Sequence, residues 1–278
     1  MQTIGLIAGN GHFPVFFARA ARHKGHRVVA VAMRGETDPV LEQEVDAITW
    51  VRVGQLGRMI GAFRKAGVTQ AAMAGGVRKS RLFETARPDW LGLKLLASVA
   101  WRRDDRLLRA VAEEFERAGI AIVDSTLFLP EVLAPAGVLT KSRPSEDEWR
   151  DLRYGYAMAR EIGRLDIGQT VAVKNGVVVA LEAIEGTDAC IRRAGELSGR
   201  QGVVIVKVAK PEQDMRFDVP AIGVATVESM HAAGCRVLGV EAGRTLLLEP
   251  QPLAAAADAR QVAIVGLQAG DLGPLSQA

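Results

Sequence analysis

The order of its apolar runs constrains this chain most. Thr3–Ala8, Arg27–Met33, Trp50–Val53 and Val68–Ala74 are short apolar runs with little polar alternation. Helical segments separate them: Pro14 with Phe16, Phe17 and Ala20 opens one, and Leu56–Ala66, closed by Gly67, forms another. A strand that is apolar on both faces must be covered on both, which a parallel sheet between helical layers achieves. Asp104–Ala118 continues the pattern as a helix with Leu107, Leu108, Val111 and Phe115 on one side, and Ile120–Val123 as a further strand. The N-terminal part is therefore expected to be a Rossmann-like parallel α/β domain.

A second α/β domain is expected beyond a proline-rich stretch that holds Pro130, Pro135, Gly137 and Pro144. Ser145 with Glu148 forms a capping box that opens a helix running to about Gly163. Asn175-Gly176 is a two-residue turn signal between two β-rich runs, hence a hairpin. A helix carrying Ile191 and Leu197, a strand at 203–208, a polar loop at 210–218, a helix at 226–233 and strands near Val237 and Leu246 follow. For 278 residues the domain-size prior gives about two domains. The division expected is 1–130, a linker at 131–144, and a catalytic domain at 145–278.

Composition excludes several classes. Lys and Arg total 35 against 32 Asp and Glu, a net charge of +3, too little for a polyanion binder, so no nucleic-acid partner is expected. Cys190 and Cys235 have no CxxC spacing, and His12, His23, His26 and His231 are scattered, which argues against structural zinc and a disulfide framework and for a cytoplasmic protein. The N-terminus lacks a basic n-region and no apolar run approaches the ~18 residues of a membrane span. The most apolar stretch, Trp90–Trp101, reads as a core helix or, with Arg102-Arg103 beside it, as apolar surface near an anionic lipid.

Four constellations carry chemistry. Gly9-Asn-Gly11-His12-Phe13-Pro14 lies between a strand and a helix, where backbone amides and the helix N-terminus suit a phosphate. It lacks the third glycine of a dinucleotide fingerprint, and Glu36 is the nearest candidate for the acid such a fingerprint carries, so a nucleotide fits better than NAD. Gly75-Gly76 ends another strand and lines the same crevice if the sheet is parallel. In Glu185-Gly-Thr187-Asp188, Thr187 or Asp188 either caps the next helix or faces a phosphate or metal. The run from Lys207 through Lys210, Gln213, Asp214, Arg216 and Asp218 to Pro220 mixes cations that suit phosphate oxygens with carboxylates that suit Mg²⁺. Those are the parts of metal-assisted hydrolysis of a phosphate ester or anhydride. Asp104-Asp105 reads as a helix start favoured by the dipole, and no G-x-S-x-G nucleophile elbow occurs.

These residues resemble the UDP-2,3-diacylglucosamine pyrophosphatases of the LpxI type, from lipid A biosynthesis, along nearly the whole chain. The carriers are Leu6-Ile-Ala-Gly-Asn-Gly11 with Pro14, Asp104-Asp-Arg-Leu-Leu-Arg109, Ala159-Arg-Glu-Ile-Gly-Arg-Leu-Asp-Ile-Gly-Gln169, Glu185-Gly-Thr-Asp188, and Lys210-Pro-Glu-Gln-Asp-Met-Arg-Phe-Asp-Val-Pro220 with Gly223 and Thr226. The resemblance implies Mg²⁺-dependent cleavage of UDP-2,3-diacylglucosamine to UMP and 2,3-diacylglucosamine 1-phosphate (lipid X), two α/β domains with the substrate cleft between them, and transient contact with the cytoplasmic face of the inner membrane. It implies Asp218 as the essential acid, with Asp188 and Asp214 as further catalytic carboxylates and Asp218 and Asp188 as metal ligands. Gly11, His12, Phe13, Gly75, Gly76, Thr187, Lys210, Gln213 and Arg216 are the substrate-binding set. The oligomeric state is left between monomer and homodimer. The alternatives are a non-catalytic nucleotide- or lipid-binding regulatory protein, which needs no such density of acid beside base, and an NAD-dependent oxidoreductase, which the incomplete fingerprint disfavours.

Overall fold

The computed structural model describes residues 2–77, 86–98, 104–129, 132–211, 214, 216, 219–268 and 270. Five strands, β1 (Thr3–Ala8), β2 (Arg27–Met33), β3 (Ala47–Val51), β4 (Gln70–Ala74) and β5 (Ala121–Val123), form one sheet in the order β3-β2-β1-β4-β5, parallel throughout. The order reverses between β1 and β4, which opens a crevice at their carboxyl ends. β1 and β2 are buried along nearly their whole length, as the lack of polar alternation requires. Helix α1 (Phe13–His23) buries Phe17, Ala18 and Ala21. Helices α2 (Leu56–Lys65), α3 (Trp90–Ser98) and α4 (Asp104–Arg117) pack Leu56, Phe63, Leu95 and Phe115 with Ile7, Val29 and Val31 of the strands. The apolar stretch beginning at Trp90 is thus a core helix on one side, since Leu95 is buried, yet it exposes Trp90 and Leu93. Trp101, Arg102 and Arg103 lie outside the described residues.

The second sheet has the order β6-β13-β11-β9-β7-β8. Its middle strands β9 (Val203–Lys207), β11 (Cys235–Glu241) and β13 (Ala263–Leu267) are parallel. The hairpin β7 (Thr170–Lys174) and β8 (Val177–Leu181) and the short β6 (Gly137–Val138) add antiparallel edges. Helix α5 (Glu146–Arg164) covers one face through Leu152, Tyr156 and Ala159. Helices α6 (Thr187–Leu197), α7 (Val224–Ala232) and α8 (Pro250–Ala259) cover the other through Ile191, Met230 and Leu253. Two short strands, β10 (Ala221–Ile222) and β12 (Leu246–Leu247), pair separately.

The chain divides into two units, Met1–Pro130 with Asp214–Asp218, and Glu131–Gln213 with Val219–Ala278. The loop segment at 214–218 therefore groups with the first unit although the sequence places it in the second half. The proline-rich stretch read as a linker is structured. Ala134 exchanges backbone hydrogen bonds with Thr245 and Gly243, and β6 pairs with β13. Prolines punctuate this segment, but Ala134, Gly137, Val138 and Leu139 still find backbone partners along the second unit's strands.

Candidate functional site

In the first unit, the two glycine turns meet. Gly9 N–H donates to Ala74 O at 2.8 Å and Asn10 N–H to Gly76 O at 2.7 Å. A methyl on Gly9 would lie 2.3 Å from Gly76 O, and one on Gly75 would lie 2.2 Å from Asn10 O, so the backbones touch only because both residues lack a side chain. The sheet thus joins Gly9–Pro14 and Gly75-Gly76 at the strand-order reversal. Gly11 turns with φ +82° into α1, whose first turn carries no side-chain cap and no acidic residue. That end is open to an anion. His12 is exposed there, whereas Phe13 turns its ring into the core at 8% exposure and leaves its backbone at the turn.

Beside this turn lies a hollow of ≈ 500 Å³ lined by Asn10, Gly11, His12, Glu36, Thr37, Asp38 and Pro39. Glu36 follows β2, is buried, and accepts a hydrogen bond from Asn10 Nδ2 at 3.3 Å. Thr37 Oγ1 donates to Ala8 O at 2.6 Å and accepts from Met33 N, which ties the end of β2 to the end of β1. Sequence reasoning discounted Glu36 because the spacing is 26 residues from Asn10 rather than about twenty. The signal available was an acid directly after the second strand, whatever the spacing.

In the second unit, three motifs converge at the carboxyl ends of β9 and β11. Asp166, in the left-handed region at φ 58°, accepts from Lys210 Nζ at 2.5 Å. Gln169 O accepts from Val208 N, and Gly168 lies so close to Glu182 that a methyl would fall 2.0 Å from its carbonyl oxygen. Across β8, β7 and β9 sit Glu182, Thr170 and Lys207, all buried. Thr187 Oγ1 donates to Glu182 Oε1 at 3.1 Å and lies 3.4 Å from Thr170 Oγ1. Lys207 Nζ donates to Ala221 O. The cap of α6 is Gly186 at φ 85°, so neither Thr187 nor Asp188 caps it: Thr187 turns to Glu182, and Asp188 is exposed in the first turn. Glu241, also buried, accepts from Ala209 N at 3.0 Å and from Tyr156 and Arg160, which anchors the start of the Lys210 loop. Burial, then the Glu241 charge, pushes the Tyr156 hydroxyl above its usual pKa. Glu182 and Glu241 are polar positions inside apolar strand ends, and sequence reasoning passed over both.

The loop residues are neutralised locally. Arg216 donates from Nε and Nη2 to the two oxygens of Asp214 at 3.0 and 2.8 Å and reaches Glu116 at 3.4 Å. The guanidinium holds the Asp214 carboxyl below its usual range, and Asp214 raises Arg216 in turn. Gln213 and Asp218 lie outside the described residues, as do the side chains of Asp104 and Asp105. Among the described residues, no three His, Cys, Asp or Glu side chains gather into a metal site. Mg²⁺ takes one or two protein carboxylates together with substrate phosphates. The exposed Asp188 fits that donor chemistry; Asp214 does not, since Arg216 occupies both its oxygens.

Two family models cover the chain: the LpxI N-terminal domain matches residues 3–132 and the LpxI C-terminal domain residues 135–265. The chain belongs to the LpxI family. A curated LpxI relative from Caulobacter vibrioides, UDP-2,3-diacylglucosamine pyrophosphatase LpxI, is 37% identical over 277 residues, spanning 96% of this chain and 98% of the relative. In this LpxI chain the segments 163–169, 185–188 and 207–210, distinctive in sequence, are those the second sheet brings together. Among solved structures, the biotin carboxylase domain of a thermophilic 2-oxoglutarate carboxylase is 13% identical over 71% of this chain and 32% of that one, with a TM-score of 0.28. The biotin carboxylase subunit of pyruvate carboxylase is 15% identical over 66% and 39%, with a TM-score of 0.26. Likeness at that level bears on neither fold nor activity.

Proposed function

We propose that this LpxI chain is a hydrolase that cleaves the diphosphate of UDP-2,3-diacylglucosamine, with release of UMP and 2,3-diacylglucosamine 1-phosphate, in lipid A biosynthesis. The observation that carries this reading is the match of both LpxI domains together with 37% identity to the Caulobacter enzyme over nearly the full length of both chains.

The first unit receives the uridine half. Backbone amides of Gly11, His12 and Phe13 at the uncapped start of α1 face a phosphate, with Gly75 and Gly76 completing the floor. Glu36 stands where an acid after the second strand of such a sheet accepts from ribose hydroxyls. In the second unit, Thr187 and the first turn of α6 receive the phosphosugar. Lys210, and Arg216 held in place by Asp214, turn their remaining N–H donors to phosphate oxygens as negative charge develops, the kind of electrostatic positioning that dominates phosphoryl transfer. Gln213 contributes a neutral donor. Asp218 either orients the attacking water or holds Mg²⁺. Asp218 and Asp188 are the carboxylates proposed to hold Mg²⁺, and Asp214 positions Arg216. A bound Mg²⁺ supplies positive charge to the diphosphate oxygens. The lipid substrate brings the enzyme transiently to the cytoplasmic face of the inner membrane; among the described residues no helix is long and apolar enough to cross it.

The test is Asp218→Ala. The variant is expected to fold, bind substrate and lose UMP release; retained turnover contradicts the role of Asp218. An NADH absorbance assay run in parallel is expected to stay flat.

A further inference from the structure

A second cavity, of ≈ 260 Å³, lies at the carboxyl ends of β2 and β3 and is lined by Arg34, Trp50, Arg52, Gln55 and Arg58. Arg34 and Arg52 directly follow their strands, and Arg58 lies in the first turn of α2. All three arginines are exposed, and among the described residues none forms an ion pair with a carboxylate. The acids nearby are otherwise engaged. Asp89 accepts from the backbone N–H groups of Arg58 at 3.2 Å and Gly92 at 3.0 Å, and Glu42 accepts from Trp50 Nε1 at 2.7 Å. Three guanidiniums gathered around one hollow repel one another, and an anion relieves that cost.

The same turn carries apolar surface. Asp89 N–H donates to Gly54 O, Arg87 N–H to Val53 O, and a methyl on Gly92 would fall 2.1 Å from Gly54 O, so the start of α3 is packed on the loop that supplies Arg52 and Gln55. That first turn exposes Trp90 at 82% and Leu93 at 51%, with Arg87 and Lys94 exposed beside them. An exposed indole next to arginines that form no ion pair among the described residues is the composition of a surface that lies on an anionic bilayer: the ring sits at the headgroup level and the arginines meet phosphates.

We propose that this edge, formed by Arg34, Arg52 and Arg58 with Trp90 and Leu93, docks the protein on an anionic phospholipid surface, with a headgroup phosphate in the arginine-lined cavity. Its purpose rests on the reading that the substrate is a membrane lipid. The docking itself is measured without substrate, so failure of one leaves the other standing.

The experiment is flotation of the full chain with vesicles of phosphatidylcholine alone and of phosphatidylcholine with about one-third phosphatidylglycerol. Wild type is expected to float with the anionic vesicles only, and to be released by salt. Each Arg→Gln substitution is expected to weaken binding about fivefold, from ~1 kcal/mol per basic residue near such a surface. Trp90→Ala with Leu93→Ala is expected to weaken it with less change in salt sensitivity, and far-UV circular dichroism checks that every variant is folded. Equal flotation with neutral and anionic vesicles overturns the proposal. So does a folded Arg34→Gln/Arg52→Gln/Arg58→Gln variant that binds as wild type does. Release by millimolar inorganic phosphate at constant ionic strength also overturns it, by showing a pocket for free phosphate.

Discussion

Gly9 and Gly11 sit two residues apart in one turn and answer to different constraints. A methyl on Gly9 collides with Gly75 and Gly76 backbone, whereas Gly11, at φ +82°, has open space around it. Gly9→Ala is expected to cost about 3 kcal/mol, the upper end of ordinary overpacking, and Gly11→Ala about 1 kcal/mol, the cost of the left-handed region for a residue with a side chain. Urea denaturation of the two variants checks the ordering. The Asp214–Arg216 pair gives a pH signature. Because the Arg216 hydrogen bonds depress the Asp214 pKa in the folded chain, the pair contributes stability above the ordinary aspartate value of ~3.9 and loses it as pH falls through the lower folded value. The stability gap between wild type and Asp214→Asn is therefore expected to be full near pH 7 and to close in the acid range, read from denaturation midpoints at several pH values. At this scale the sequence showed which residues carry charge but not what neutralises it. Lys210 and Arg216 were legible as cations. Asp166, which is 44 residues from Lys210, and Glu116, which is 100 from Arg216, were not, because folding alone sets that proximity.

Helices and strands with strong local signals were the legible elements. Apolar runs without alternation became β1 and β2, and the Ser145–Glu148 box closes with both of its hydrogen bonds. The Asn175-Gly176 turn has positive φ at both residues, as its type demands. What the turn signal did not reveal is its clamp: buried Asp151 on α5 accepts from Asn175 N at 2.8 Å and Gly176 N at 2.7 Å. Asp151→Ala removes two charge-assisted bonds and is expected to cost about 3 kcal/mol; Asp151→Asn, which keeps one acceptor, is expected to cost less. The same denaturation measurement separates them. Helix α8 and strand β13 went unread because an alanine-rich segment around Ala254–Ala257 carries little pattern, although β13 completes the parallel core beside β11.

For the whole molecule, composition narrowed the field and topology placed the candidate site. A net charge of +3 gave no reason to expect a polyanion partner, and the parallel order β3-β2-β1-β4-β5 put both glycine turns at one crevice. The sequence offered Glu36 only as the nearest candidate for a fingerprint acid; the fold shows that the end of β2 brings it to the Asn10 turn. Cys190 and Cys235 report on the integrity of the second unit. Burial pushes both thiols up to about 12, so a thiol reagent at pH 8 is expected to label neither until denaturant opens that sheet; rapid labelling in native buffer contradicts the packing. The central claim is chemical, and one measurement reaches it most directly: incubation of the purified chain with UDP-2,3-diacylglucosamine and Mg²⁺, with both products followed. Release of UMP together with 2,3-diacylglucosamine 1-phosphate in equal amounts, abolished by Asp218→Ala, is the predicted result. Intact substrate after prolonged incubation with a folded, Mg²⁺-supplied wild-type chain contradicts it.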